Sequence, residues 1–350
     1  MPHSSLSTSP DEAFARFHLT QDNCFTLFRY VFAFGIFFNH LYTASGRDIV
    51  LCNSDWFVKG FFIISGFLTF NSYVRSAAPT AFFMRRVRRL VPAYVLTILL
   101  CFAIGAAVTT LPLREFLVQP ATWKYLTANL CFLNYIQPTL PGVFDTLAVP
   151  VVNAALWTLK IEILFYLTVP LVYWAMHRFG AMPVLTTIVV ASLGYEIVTS
   201  LLYATTGNPL FHALSHQLPG MLSYFYFPVM LLFGFSFVQR HERWLTGLSV
   251  ALLVANYWWP QLEHLKFAPF SLLLVALAYR AEHFVHARRW HDISYDFFLI
   301  HFPLIQLSLT LYPSLSLSHR AVLTLFVTTL MALLLQQASR RLVSAFSHSE

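Results

Sequence analysis

Apolar stretches, each about as long as a membrane-spanning helix, recur along most of this 350-residue chain. An α-helix needs about 20 residues to cross the roughly 30 Å hydrocarbon core of a bilayer. A hydropathy window of about that length predicts ten helical spans. We expect them near residues 25–42, 57–74, 92–110, 156–176, 182–203, 220–238, 244–259, 267–280, 293–312 and 321–338. The pattern therefore predicts an all-α fold, a polytopic membrane helical bundle with about ten transmembrane helices.

The composition supports a membrane protein. Hydrophobic residues make up 57% of the chain and charged residues 11%, whereas a soluble domain has about 25% charged residues. The net charge of +7 would suit a nucleic-acid-binding protein, but the basic residues stand beside the apolar spans and not along a soluble face. We therefore expect contact with membrane lipids and no nucleic-acid partner.

The basic residues also predict an orientation. With the N-terminus in the cytoplasm and ten alternating spans, 14 of the 22 Lys and Arg residues fall inside, 5 fall outside and 3 lie within spans or at their edges. Because Lys and Arg concentrate on the cytoplasmic side, both termini are expected there. The predicted organisation is a polar cytoplasmic segment over 1–24, a transmembrane domain over 25–340 and a short cytoplasmic tail over 341–350. The stretch 111–155 is expected to be a folded outer loop with short interfacial helices.

Two polar side chains, Arg29 and His40, interrupt the first apolar stretch, FTLFRYVFAFGIFFNHLY. Their separation is about three helical turns, so both leave the same face of the helix roughly 16 Å apart. Burying an arginine in a membrane helix costs at least ~2.5 kcal/mol, so Arg29 is expected to face a partner, a cavity or a ligand. The pair predicts a polar path that runs lengthwise through the protein.

The fourth span opens with LWTLKIEILFY and contains the embedded carboxylate Glu162. An ionisable residue inside a membrane is a functional hypothesis by default. Glu162 and His40 are expected at similar depth, and a carboxylate can hold an imidazole in the tautomer that a general base needs. Lys160 points roughly to the opposite side of the helix from Glu162 and can extend outward to the interface.

Three further motifs are each open to a functional and a purely structural interpretation. The segment FFMRRVRRLVPAY holds four arginines, which suit phosphate oxygens but also serve as topology signals or contacts for anionic lipids. Ser65 and Gly66 in the second span permit close helix packing. The ninth span contains SYDFFLIHFP, in which Tyr295 and His301 are candidates, although a lone histidine in a helix is more often a packing residue. No metal-ligand motif is present in the sequence, so no metal is predicted. The four arginines of FFMRRVRRLVPAY are Arg85, Arg86, Arg88 and Arg89.

Taken in order, these motifs resemble those of the acyltransferase-3 family of integral membrane O-acyltransferases. Arg29 and His40 match the family's Arg-x10-His pattern, and FFIISGFL is similar to its Ser-Gly-Phe motif in the second span. FFMRRVRRLVPAY, LWTLKIEILFY and SYDFFLIHFP resemble its remaining motifs. The chain departs from the family pattern at Thr158, where serine is common, and at Phe298, where tyrosine is usual. Phe28 and Tyr30 flank Arg29, where many members have small residues.

The resemblance implies transfer of an acyl group, usually acetyl from acetyl-CoA, to a hydroxyl of a cell-envelope or exported glycan or a lipid-linked sugar. It implies a multi-pass protein of the plasma membrane, the inner membrane in bacteria, that works with polysaccharide-synthesis proteins. The arginines of 85–89 and Arg29 would bind the acyl-CoA, and His40 would act as general base or acyl carrier with Glu162 orienting it. Ser65, Trp157, Tyr295 and His301 would line the substrate path or support the site.

Two other functions fit the same residues. In a proton-coupled transporter or lipid-linked-sugar flippase, Arg29, His40 and Glu162 would form a proton relay or a substrate path. The sequence shows no inverted repeat, which argues mildly against a transporter. In a scaffold for a polysaccharide-synthesis complex, the outer-loop surfaces would matter more than His40.

Overall fold

The computed structural model describes residues 24–47, 54–280 and 292–347, and within these ranges it is α-helical with no strand. The helices are α1 (Phe25–Ala44), α2 (Ser54–Val74), α3 (Pro79–Val108), α4 (Leu113–Val118), α5 (Pro120–Leu130), α6 (Trp157–Phe179), α7 (Ala181–Thr206), α8 (Pro209–Ser215), α9 (Leu218–Phe233), α10 (Phe235–Arg240), α11 (Glu242–Trp258), α12 (Phe267–Arg280), α13 (Ser294–Leu311) and α14 (Leu317–Ser347). Short 3-10 turns form at Asn134–Ile136, Ala154–Leu156 and Pro260–Leu265.

The predicted all-α fold is confirmed, and each predicted span falls on a helix. Five helical segments of the described residues are long and apolar enough to cross a membrane: Ser54–Val74, Pro79–Val108, Ala154–Phe179, Ala181–Thr206 and Leu317–Ala345. The others are shorter or carry more polar residues, and the predicted span 220–238 is divided between α9 and α10. Ten spans and cytoplasmic termini therefore stay predictions, and residues 1–23 lie outside the described residues.

The described residues belong to two compact units. Unit 1 takes in the described parts of Met1–Phe28, Val58–Phe82 and Ile161–Trp290. Unit 2 takes in those of Arg29–Phe57, Phe83–Lys160 and His291–Glu350.

Close helix packing in unit 1 depends on a small residue of α2. A Cβ atom added at Gly66 would overlap the backbone carbonyl of Phe225 on α9. The aromatic rings of Phe62, Phe165 and Phe225 fill the space beside this crossing, with the last two stacked at 4.3 Å between centroids. Helices that pack without a hydrophobic driving force between them rely on such small residues for van der Waals contact.

The stretch 111–155 of unit 2 is folded and contains the short helices α4 and α5, and a 3-10 turn at Asn134–Ile136. Phe116, Tyr125, Leu140 and Val143 form an apolar cluster around Cys101 of α3. Beyond it, residues 149–153 pack against α13. The Gln306 side-chain amide on α13 donates hydrogen bonds to the carbonyl oxygens of Val149 at 2.6 Å and Val151 at 3.0 Å.

The C-terminal end of α13 is capped by a buried arginine of α14. Arg320 is only 2% exposed, and its guanidinium donates to the carbonyl oxygens of Ser308 at 2.5 Å and Tyr312 at 2.8 Å. The last carbonyls of a helix have no intrahelical donor and carry partial negative charge, so a cation there stabilises them. Arg320 thus holds α13 and α14 together.

Substituting Gly66 by alanine tests the α2–α9 crossing. The new methyl group meets backbone that cannot rotate away, so we expect a loss of about 1–3 kcal/mol of stability from overpacking. The matched control is Gly194→Ala on α7, where an added Cβ has no neighbour within 4 Å and alanine favours the helix by about 1 kcal/mol. Thermal unfolding of the purified protein in detergent measures both. Equal melting temperatures for Gly66→Ala and wild type would show that the crossing is loose.

Candidate active site

Two histidines of unit 2 make direct contact. His40 on α1 and His301 on α13 have nearly parallel rings, with 5.0 Å between centroids and 8° between planes. His40 Nδ1 lies 2.7 Å from His301 Nε2, and His301 Nδ1 lies 2.8 Å from the carbonyl oxygen of Phe298. His301 is fully buried, whereas His40 is half-buried. The pair therefore joins a fully buried imidazole to one that is partly exposed.

The order of these hydrogen bonds determines where the protons are. A carbonyl oxygen can only accept, so His301 Nδ1 must carry a proton and donate it to Phe298. In neutral His301 the other nitrogen, Nε2, is then an acceptor, and His40 Nδ1 must be the donor to it. Neutral His40 is thereby left with an unprotonated Nε2. An unprotonated imidazole nitrogen can accept a proton as a general base.

Apolar rings surround the two histidines. Phe302 meets the His40 ring edge-on at 5.2 Å, and the rings of Phe37 and Phe297 lie 6.3 Å and 6.2 Å from that of His301. Such surroundings lower the local dielectric constant, which strengthens the hydrogen bonds within the chain.

A side-chain hydrogen bond stabilises the α13 backbone beside His301, at a carbonyl oxygen that a proline leaves without its helical donor. Pro303 has no N–H, so the carbonyl oxygen of Leu299, four residues earlier, lacks its usual helical donor. The side-chain amide of Asn153 donates to that oxygen at 2.8 Å. Asn153 is 5% exposed, and it fixes α13 within one turn of His301. Sequence reasoning missed Asn153, although the proline in HFP signals a carbonyl in need of a donor.

A second cluster centres on Asp292, just before α13. Its carboxylate lies 2.5 Å from Arg29 Nη1 on α1 and 3.9 Å from an Arg89 nitrogen on α3. The Ser294 hydroxyl donates to the same carboxylate at 2.5 Å, and Gln336 of α14 donates to the Asp292 backbone carbonyl at 2.7 Å. One aspartate thus connects four helices of unit 2.

Opposing effects set the acidity of Asp292. Burial by itself raises the pKa of this carboxyl, but Arg29, the Ser294 hydrogen bonds and Arg89 together outweigh burial and hold its pKa below the ordinary value of 3.8. Asp292 is therefore ionised at neutral pH and balances part of the positive charge of the two arginines. One weak signal in the sequence points to Asp292: it is an acidic residue directly before a predicted span in a chain with few carboxylates.

The arginine-rich segment forms the N-terminal part of α3. Arg85, Arg88 and Arg89 are exposed, whereas Arg86 is half-buried. The hydroxyl of Tyr295 on α13 donates to the backbone carbonyl of Leu90 at 3.1 Å, directly after the arginines. Within unit 2 the predicted Arg29, Arg89 and Tyr295 are therefore joined through α13 at one end of the site, with His40 and His301 further along the same helices.

The other predicted residues have local partners. Glu162 and Ser65 belong to unit 1, where the Tyr166 hydroxyl donates to the Glu162 carboxylate and Ser65 Oγ lies 3.5 Å from the Thr69 hydroxyl. Trp157 begins α6 in unit 2 and is half-buried. Lys160 Nζ lies 4.4 Å from the centre of the Tyr135 ring. The predicted pairing of Glu162 with His40 stays a prediction, and the hydrogen-bond partner that the structure gives to His40 is His301.

Within the described ranges no three His, Cys, Asp or Glu side chains are grouped in a way that could hold a metal ion. The site consists instead of two hydrogen-bonded imidazoles and a charged cluster at the start of α13. Such an arrangement can accept a proton at His40 Nε2 and can attract an anionic group to the exposed arginines.

Comparison with known proteins identifies the class. Residues 22–336 match the model of a family described as an acyltransferase domain, so the chain belongs to the acyltransferase-3 family, as its motifs predict. Together with its apolar helices, this makes it a membrane acyltransferase. A similar protein is Nodulation protein 10 of Rhizobium leguminosarum bv. viciae, 26% identical over 262 residues that cover 69% of each chain. No solved structure matches the chain.

Replacing Asp292 by asparagine tests the charged cluster. The folded state holds the pKa of Asp292 below 3.8. The ionised carboxylate therefore stabilises the fold at pH values above the pKa that Asp292 has in the unfolded chain, and this stabilisation is lost as the pH falls through the lowered pKa of the folded state. We expect wild type to melt above Asp292→Asn at neutral pH and the gap to close in acid, below about pH 4. Melting curves from neutral to acid pH measure the gap, and a gap independent of pH would contradict the ion pair.

Proposed function

We propose that this protein transfers an acyl group, acetyl in the usual case, from cytoplasmic acyl-CoA to a hydroxyl group of a cell-envelope or exported glycan. The observation that carries the proposal is the hydrogen-bond order from Phe298 through His301 to His40, which leaves a basic nitrogen on a partly exposed imidazole. Ester formation from a thioester and an alcohol needs a base of this kind, because a neutral hydroxyl is a weak nucleophile.

In the proposed reaction, His40 Nε2 takes the proton of the acceptor hydroxyl while its oxygen attacks the thioester carbonyl carbon. The new C–O bond forms and the C–S bond breaks, and the proton on His40 passes to the departing thiolate. The products are the O-acyl ester and free CoA. As His40 gains positive charge, His301 Nε2 accepts a stronger hydrogen bond from its Nδ1–H, which favours the charged form.

The donor would enter at the arginines of α3. Arg85, Arg88 and Arg89 are exposed, and their guanidinium groups suit the phosphate oxygens of CoA. Arg29 and His40 are separated by roughly 16 Å along α1, comparable with an extended pantetheine arm. Asp292 would keep Arg29 and Arg89 in place through its ion pairs. In this proposal Glu162 orients the His40 imidazole or stabilises its protonated form.

The transporter hypothesis makes Arg29, His40 and Glu162 a proton relay or a substrate path. The series of hydrogen bonds from His40 through His301 ends at the Phe298 carbonyl oxygen, which has no exchangeable proton to pass on. This hydrogen-bond series therefore suits a general base that is held in place better than a proton relay, so we favour an enzyme over a transporter. Labelled acetyl-CoA distinguishes the two, since a transporter moves a substrate without incorporating label.

The histidine pair is tested by turnover in reconstituted vesicles with radiolabelled acetyl-CoA and envelope glycans from the producing organism. Removing the base with His40→Ala should lower turnover by a factor of about 10²–10⁴. His301→Ala should lower it less, because only the orientation of His40 is lost. His301→Gln should recover part of that loss, since its amide oxygen can accept from His40 Nδ1.

The control for these variants is His319→Ala, which removes an exposed imidazole at the start of α14. It should leave turnover unchanged. Wild-type turnover by His40→Ala protein that accumulates normally in the membrane would end the proposed role. Equal activities of His301→Ala and His301→Gln would show that His301 serves only in packing.

The donor site is tested by neutralising Arg85 and Arg88 together. Each hydrogen bond between charged groups is worth about 1.5–3 kcal/mol, so the double variant Arg85→Gln, Arg88→Gln should weaken CoA binding by at least about tenfold. Isothermal titration of CoA onto the purified protein measures the affinity. Arg178→Gln, which removes an exposed arginine that rests on the Phe179 ring, is the control. An unchanged CoA affinity in the double variant would leave the arginines as topology signals.

A further inference from the structure

A cluster of charged side chains in unit 1 takes no part in the chemistry proposed above. Glu196 on α7 has its Oε1 atom 3.7 Å from Lys59 Nζ on α2 and 3.7 Å from His264 Nδ1. His264 lies in the 3-10 turn between α11 and α12. Lys59 Nζ is also 4.9 Å from the centre of the Tyr224 ring on α9. Glu263 of the same turn forms an ion pair with Lys266, which directly follows the turn.

The carboxylate at the centre of this cluster is incompletely bonded. Glu196 is 5% exposed, and within the described part of the chain its Oε2 atom has no hydrogen-bond donor. His264 Nδ1 likewise makes no hydrogen bond there. A buried carboxylate oxygen that lacks a donor is unfavourable, because desolvation is not compensated. In a membrane bundle such a residue is a functional-site hypothesis by default.

The charge of the cluster narrows the class of ligand. Lys59 balances Glu196, and Lys266 balances Glu263, so the site has no excess positive charge to attract a phosphate. What it offers is a carboxylate oxygen that can accept a hydrogen bond, with an imidazole beside it. A neutral ligand with several hydroxyl donors, such as a sugar, fits these groups.

The position of the cluster in the chain fits a membrane-anchored ligand. Lys59 follows the start of α2, and His264 follows the end of α11, positions that the predicted topology assigns to the outer side. Tyr257, Trp258 and Trp259, just before the turn with His264, are 76%, 70% and 59% exposed. Exposed tyrosine and tryptophan are typical of the membrane–water interface. The His264 side chain is 25% exposed, while its Nδ1 atom, which faces Glu196, is buried.

We propose that Glu196 and His264 form an acceptor-binding subsite that accepts hydrogen bonds from the hydroxyl groups of a lipid-anchored sugar. This inference rests on the proposed function, which requires a hydroxyl acceptor from the outer side of the membrane. Lys59 positions the Glu196 carboxylate. Glu196 Oε2 is buried, so it would accept a hydrogen bond from a sugar hydroxyl once the partly exposed His264 side chain moves aside.

Binding of defined sugars tests the subsite without any acyl transfer. The full-length protein in lipid nanodiscs is titrated with hexadecyl glucoside, N-acetylglucosaminide and mannoside, and affinity is read from the shift in melting temperature. Methyl glycosides of the same sugars show how much the anchor contributes. Wild type should bind at least one hexadecyl glycoside. Glu196→Gln should bind it at least about tenfold more weakly, as expected for loss of a charged hydrogen-bond acceptor.

The control is Glu115→Gln on α4 of unit 2, which removes an exposed carboxylate outside the cluster, so affinity should stay within about twofold. His264→Gln, at a partly exposed position, gives a second test should Glu196→Gln fail to accumulate, and it too should weaken binding. The subsite is wrong if wild type binds none of the glycosides, or if the accumulating variants bind as wild type does.

A parallel assay with radiolabelled acetyl-CoA and the same glycosides separates this inference from the proposed function. If glycoside binding depends on Glu196 but wild type incorporates no label, the proposed acyl transfer to sugars is wrong and the subsite is supported. Label incorporation with no effect of Glu196→Gln or His264→Gln on binding or acceptor KM would do the reverse.

Discussion

The hydrogen bond from His40 Nδ1 to His301 Nε2 is the interaction on which the candidate site depends. It joins a polar group of α1 to one of α13, helices that are far apart in the chain. Because His301 must donate from its other nitrogen to a backbone carbonyl, the bond has a direction, and that direction leaves His40 Nε2 unprotonated. A pair of imidazoles with the opposite order would present an N–H and could not act as a base.

Several contacts along α13 keep this bond in place. Asp292 joins the start of the helix to α1 and α3 through Arg29 and Arg89, and Asn153 supports the backbone where Pro303 leaves a carbonyl without a donor. Arg320 caps the other end. The helix is therefore held at its start, at its middle and at its end by polar side chains from elsewhere in unit 2. In a membrane protein such bonds have little competition from water, so they specify geometry as well as add stability.

Unit 1 carries a separate group of buried charges around Glu196. Its character differs from that of the Asp292 cluster. At Asp292 the contacts with Arg29 and Ser294 are 2.5 Å long, and the neighbouring segment of α3 is rich in exposed arginines, which suit phosphates. At Glu196 the charges balance and one oxygen has no donor among the described residues, which suits hydroxyl groups. The proposed reaction, with a donor that carries phosphates and an acceptor that carries hydroxyls, requires two sites that differ in this way.

Much of the helical fold was open to prediction, because apolar stretches of membrane-spanning length can be counted along the chain. Each predicted span falls on a helix, although the split between α9 and α10 at Gly234 depends on local geometry that hydropathy does not detect. Arg29 and His40 were identifiable because an ionisable group in an apolar helix is costly and stands out. His301 was visible as a candidate, but its partner was not.

The sequence by itself determined the helices, the family and the residue types that bring acid–base chemistry into an apolar chain, since these follow from composition and spacing within one segment. Only the tertiary structure decided that His40 pairs with His301, that Arg29 pairs with Asp292 and that Asn153 supports Leu299. These pairs are separated by 261, 263 and 146 residues, and periodicity within a helix contains no information about which distant helix lies beside it. The direction of the histidine hydrogen bond has the same origin, because a tautomer is set by the neighbouring acceptor and not by the residue that carries it.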